Sequence, residues 1–335
     1  MNLACDDRLP CCVAGWLIWV LGGMASAGAQ TAVSLPKAMG VSDVSLQRPM
    51  TALHPLATFQ VGGNPDWMAV SEDSLWVTSA AKDEVVRLDA ETNRVGESVA
   101  VRKPCSGLVT GFGSLWVPSC GAHELVRVDL KTHQIIARIA ADPASSEGGI
   151  AVGAGSVWVV IGPDGVLARV DPATDRVVAR IKVPVGSFAV AFAEGSVWVT
   201  STAESVLSRV DPGTNKLVST TGVGKEPRFL TTGAGSVWTL NQGDGTISRV
   251  DARSGRLEAT IDAGLASRGG EIAYGGGAVW VTVLGFPITR IDALTNCVTR
   301  QWKGKGGDSI RVGLGSVWLT DIEAGSVMRL DPARL

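Results

Sequence analysis

Seven tryptophans at a period near forty predict an all-β chain, a seven-bladed β-propeller with four-stranded blades. The first observation behind this is the spacing. Trp76, Trp116, Trp158, Trp198, Trp238, Trp280 and Trp318 follow one another at intervals of 40, 42, 40, 40, 42 and 38 residues, and self-similarity at such a period marks a repeat architecture. The second is a companion signal after each Trp, an Arg followed two positions later by Asp: Arg87/Asp89, Arg127/Asp129, Arg169/Asp171, Arg209/Asp211, Arg249/Asp251, Arg290/Asp292 and Arg329/Asp331. The third is the content of each repeat. Four short runs of alternating β-branched and polar residues are punctuated by Gly, Pro and Asp, with no helical stripe between them. Four antiparallel strands repeated seven times make a propeller.

Taken in order, residues 1–29 read as an export signal. A short apolar core at 13–21 is followed by small residues, and Ala27-Gly28-Ala29 offers a cleavage site before Gln30. Asp6 and Asp7 outnumber Arg8 where positive charge is usual. The apolar core is short for a bilayer span, so the mature chain is expected to be periplasmic or secreted, without a membrane span; the alternative is that the segment is retained as an anchor. Residues 30–56 hold Pro36, Gly40, Pro49 and Pro55 and no periodicity, and read as a flexible leader. The propeller occupies residues 57–335. Its repeat is clearest at 150–183, with strands expected at 150–152, 156–160, 166–171 and 176–183. Residues 57–61 match the end of a repeat, whereas the last repeat stops at Leu335 after its third strand. The N-terminal strand is therefore expected to complete the last blade, closing the ring and removing a free sheet edge.

The recurring residues have structural work to do. Each Trp sits mid-strand among aliphatic neighbours, placed to pack between blades. Each Asp ends a strand where it can accept the N–H groups of the next turn, and the Arg two residues earlier lies on the same face, within reach of a neighbouring loop. A position present seven times is scaffold, so specific chemistry belongs to what differs between copies.

The segments Gly155-Ser156-Val157-Trp158-Val159 and Arg169-Val170-Asp171-Pro172, with their repeats, resemble those of bacterial YVTN-type and virginiamycin-B-lyase-like β-propellers over residues 57–335. For streptogramin lyases of that superfamily the resemblance implies a divalent metal with catalytic His and Glu. This chain has three His, namely His54 in the leader, His123 in a loop of the second blade and His133 in a turn on the opposite face. No lyase residue is carried over, and no catalytic residue, metal ligand or cofactor is assigned.

A net charge of −2 with no basic run excludes nucleic acid as a partner on electrostatic grounds. Within a blade, the loops joining one blade to the next and those joining the second and third strands emerge on one face. They vary most, so the mouth they form is the expected binding site. Departures from the repeat there are Asp66, Trp67, Arg228, Asn241, Glu271, Asp308, Arg311 and Asp321, which would frame a polar pocket of mixed sign. Cys105 and Cys120 face each other across a hairpin of the second blade and are expected to form a disulfide, while Cys297 is left over as a thiol. The expected function is non-catalytic binding or scaffolding by a monomer, with a periplasmic protein, peptide or small molecule held at the mouth. The alternative is a lyase- or lactonase-like enzyme using mouth carboxylates and a divalent cation.

Overall fold

The computed structural model describes residues 37–105, 107–144, 149–162 and 164–335; the signal reading of residues 1–29 lies outside them. Seven four-stranded antiparallel sheets follow one another around a ring. Their first strands contact each other around the axis, which sets the order of each blade from the inside outward. Blade 3 is typical, with strands Ile150–Gly153, Ser156–Ile161, Val166–Asp171 and Arg176–Lys182. The second strand of this blade is buried throughout, since both of its faces meet neighbouring blades. Its outermost strand alternates between exposed and sheltered residues.

Two strands precede the first blade. β1 (Gln47–Pro49) and β2 (Ala57–Gln60) belong to different sheets. β2 pairs antiparallel with Ser326–Leu330 of blade 7, in the register Ala57 with Arg329 and Gln60 with Ser326, so the chain's start completes its last blade as expected. Phe59 is buried there and packs on Trp318 with ring centroids 5.7 Å apart. β1 adds a fifth strand to blade 6, parallel to Cys297–Lys303. Residues 37–56, expected to be a leader without regular structure, thus lie against the propeller. Gln301 holds them in place: its Oε1 accepts from Val41 N at 2.8 Å and its Nε2 donates to Ala263 O at 3.0 Å.

All seven ladder tryptophans are at most 1% exposed. Each buries roughly 200 Å² of aromatic surface, worth on the order of 5 kcal/mol before entropy is subtracted. Five of the arginines, Arg127, Arg169, Arg209, Arg249 and Arg329, join blades. Arg127 donates to Pro172 O (2.6 Å) and Asp175 (2.8 Å), Arg169 to Pro212 O and Asn215, and Arg249 to Ala293 O and Asn296. Arg329 closes the ring onto Ala90 O and Asn93 of blade 1. The aspartates cap their own turns, and N–H groups of those turns, first Thr92 for Asp89, Thr132 for Asp129 and Thr295 for Asp292, hold the carboxyls below their usual range.

Cys105 and Cys120 form the expected disulfide, with Cα atoms 5.7 Å apart. Cys297 departs from expectation: it is disulfide-bonded and is not a free thiol. Among the described residues no helix is long and apolar enough to cross a membrane.

Candidate functional site

The channel on the propeller axis is nearly shut at the level of the first strands. Trp67 of blade 1 stacks obliquely on Phe229 of blade 5 (5.7 Å), and Phe188 of blade 4 meets Phe229 edge-on at 5.7 Å. About 60 Å³ remains beside Trp67, Phe229, Glu271 and Arg311. Trp67 is fixed by its place in the strand, where its N–H donates to Thr78 Oγ1 at 3.0 Å. The aromatic cluster makes the mouth a basin with a floor.

Glu271 and Arg311 come from the first strands of blades 6 and 7 and form an ion pair beside that floor. Glu271 is 4% exposed. Its second oxygen accepts from Ser309 Oγ and from Ile310 N at 3.1 Å. Arg311 donates onward to Met68 O of blade 1 at 2.9 Å and to Ile310 O at 3.0 Å. Burial pushes the Glu271 carboxyl up from its ordinary range, against the pull of Arg311 and of the Ser309 and Ile310 donors. The pair ties three blades together.

A second cavity, of about 250 Å³, opens on the mouth where blades 4, 5 and 6 meet. Arg228 forms its base, with the guanidinium carbon 4.6 Å from the Phe188 centroid and 5.6 Å from that of Phe229. Arg268, Glu226 and Thr202 complete the walls. Gln242 is 3% exposed and holds the neighbouring loop by donating to Gly269 O at 2.6 Å. Among the described residues its charged lining is Arg228, Arg268 and Glu226, and the aromatic rings behind Arg228 limit its movement. Such a pocket suits an anionic group carried on an apolar or planar body.

The remaining sequence-predicted residues do not join either cavity. Asn241 is fully buried inside blade 5, where its amide donates to Thr246 and Ser248 and accepts from Thr239. Asp308 accepts from Gly270 N at 3.1 Å and Asp321 from Ala324 N at 2.9 Å, both at the rim of blades 6 and 7. Asp66 is half-buried on the first strand of blade 1. Of the pocket residues, Phe188, Thr202, Ala203, Glu226 and Gln242 were not singled out in the sequence. Phe188 stands ten residues before Trp198, as Arg228 stands before Trp238, so its column carried the signal.

No protein-family model matches the chain, and no curated protein matches it in sequence. Solved structures do resemble it. A streptogramin B lyase is 17% identical with a TM-score of 0.68, covering 80% of this chain and 93% of that one. A catalytically inactive virginiamycin B lyase from Staphylococcus aureus with quinupristin is 15% identical with a TM-score of 0.69, covering 88% and 97%. BamB from Moraxella catarrhalis is 16% identical with a TM-score of 0.59, covering 80% and 84%. The chain is a propeller of virginiamycin-B-lyase-like fold. At these identities the likeness is one of architecture.

Proposed function

We propose that this is an exported binding propeller that holds an acidic group of a protein, peptide or small molecule in the mouth pocket of blades 4 to 6. The observation that carries the reading is Arg228, held against two phenylalanine rings at the base of a cavity that also presents Arg268. The Cys105–Cys120 bridge and the apolar segment at residues 13–21 support export. A propeller of similar fold has been seen with quinupristin, which supports a small ligand as one form of the occupant.

The lyase- or lactonase-like alternative draws its support from the same structural neighbours and needs mouth carboxylates acting together. Glu271 is occupied by Arg311, Ser309 and Ile310, while Asp308 and Asp321 each hold a backbone N–H. These roles favour binding over catalysis. A thermal-shift screen of acidic tripeptides and small carboxylates, repeated with Arg228→Ala, tests the reading. Stabilisation by acidic members that the variant loses is the expected result. Equal response to neutral analogues, or stabilisation by a divalent cation alone, would favour the enzyme.

A further inference from the structure

Six of the ladder tryptophans share two contacts. Trp116, Trp158, Trp198, Trp238, Trp280 and Trp318 each donate the indole N–H to the carbonyl five residues earlier, at 3.0 to 3.4 Å. Each also carries its own blade's arginine over the ring, at 4.8 to 5.7 Å from the centroid. Blade 1 has neither. Trp76 Nε1 is buried with no hydrogen-bond partner, and the edge of the His133 ring of blade 2, 5.4 Å away, takes the place of the guanidinium.

The cause lies in a three-residue turn. The other blades turn between their first two strands through a pair of left-handed residues, such as Ala154 (φ 49°) and Gly155 (φ 68°). Blade 1 has Ser71-Glu72-Asp73, none of which has positive φ. Asp73 accepts from Ser74 Oγ at 2.8 Å and from Arg87 Nη2 at 3.0 Å. Asp89 and Glu97 lie 3.7 and 3.9 Å from Arg87 Nη1. Arg87 is thereby drawn toward its own blade. Leu130, whose counterparts Pro172, Pro212 and Ala293 accept the preceding blade's arginine, receives none from the described residues. The seam between blades 1 and 2 consequently opens as a cleft of about 1190 Å³ on the face opposite the mouth.

We propose that this cleft binds an arginine side chain presented by a peptide. The guanidinium would displace the His133 ring from Trp76 and bond Leu130 O and Glu97, which lies 3.7 Å from His133 Nδ1, and a peptide carbonyl would meet Trp76 Nε1. The fold itself repeats this fit, with a guanidinium over an indole and bonded to the next blade's turn. Charge favours a cation as well: Glu72, Asp73 and Asp129 line the cleft with Arg87, Arg127, Lys131 and His133, and Asp89 and Glu97 beside Arg87 tip the balance to the carboxylates. The half-exposed Phe112 and Ile136 at its edge offer apolar contact to neighbouring residues of the peptide.

The test is calorimetric titration of the expressed protein with acetyl-Gly-Arg-Gly-amide and with its citrulline counterpart, which keeps the shape and loses the charge. Saturable binding of the arginine peptide, at least tenfold tighter than the citrulline one, is expected. Ser71→Gly/Glu72→Ala/Asp73→Gly restores the turn sequence of blade 3; it should seat Arg87 on Trp76 and abolish binding while the protein stays folded by circular dichroism. Arg228→Ala, on the other face, should leave it unchanged. Equal affinity for citrulline, no saturable binding, or full binding by the triple variant would each overturn the proposal.

Discussion

Removing Arg311 should destabilise the propeller by an amount that grows with pH. In the native protein Glu271 is 4% exposed and its charge is balanced by Arg311. Breaking a buried ion pair from one side costs about 3–5 kcal/mol, because the remaining charge is stranded. In Arg311→Met that carboxyl can escape by holding a proton, since burial already raises its affinity for one and the opposing guanidinium is gone. The sign follows from linkage. A carboxyl whose folded pKa lies above its unfolded value binds more protons in the folded state, so stability is greatest below the unfolded value and falls as pH rises through the folded one. The slope in that window is about 1.4 kcal/mol per pH unit for one proton. Lost bonds to Met68 O and Ile310 O add a part that does not depend on pH. Urea denaturation followed by tryptophan fluorescence at pH 5, 6, 7 and 8 measures both parts. Arg311→Met should lie progressively further below wild type as pH rises, and Glu271→Gln/Arg311→Met should abolish that trend. A difference between Arg311→Met and wild type that stays constant across the series would refute the reasoning.

Other outcomes follow from the same structure. Phe59→Ala, which empties the contact between β2 and Trp318, should cost about 3–5 kcal/mol and open the ring to proteolysis near blade 7. Cys105→Ser/Cys120→Ser should lower stability by about 3 kcal/mol, the loop-closure value for a 15-residue separation, and non-reducing peptide mapping should recover the native pair linked. Gln301→Ala strands the buried partners that anchor residues 41 and 263; about 1–3 kcal/mol of destabilisation is expected, together with faster hydrogen exchange in residues 41–49.

Blade count, ring closure and the Cys105–Cys120 bridge were legible because each is fixed by a spacing. Seven equivalent Trp–Arg–Asp sets and one missing fourth strand admit few arrangements. The strand β1 was not legible. Its parallel pairing with Gln301–Lys303 joins segments some 250 residues apart through backbone groups, and the only side-chain clue is Gln301, a polar residue inside a sheet. The site was legible by column and not by direction. Glu271 and Arg311 stood out as departures from the repeat, yet only the inward turn of adjacent first strands pairs them. Asn241 stood out equally but points into its own blade, a matter of strand parity at a turn that composition does not reveal. The altered seam at Trp76 went unread, although Ser71-Glu72-Asp73 stands there in place of a glycine turn; its consequence for Arg87 needed the backbone angles.

Hydrogen exchange with and without an acidic tripeptide taken from the thermal-shift screen tests the central claim most directly, because it locates the binding face. Slowed exchange is expected at residues 226–229, 242–244 and 267–270, around the Arg228 pocket, with the seven ladder strands unchanged. Slowed exchange confined to the opposite face, or absent from those three segments, would contradict it.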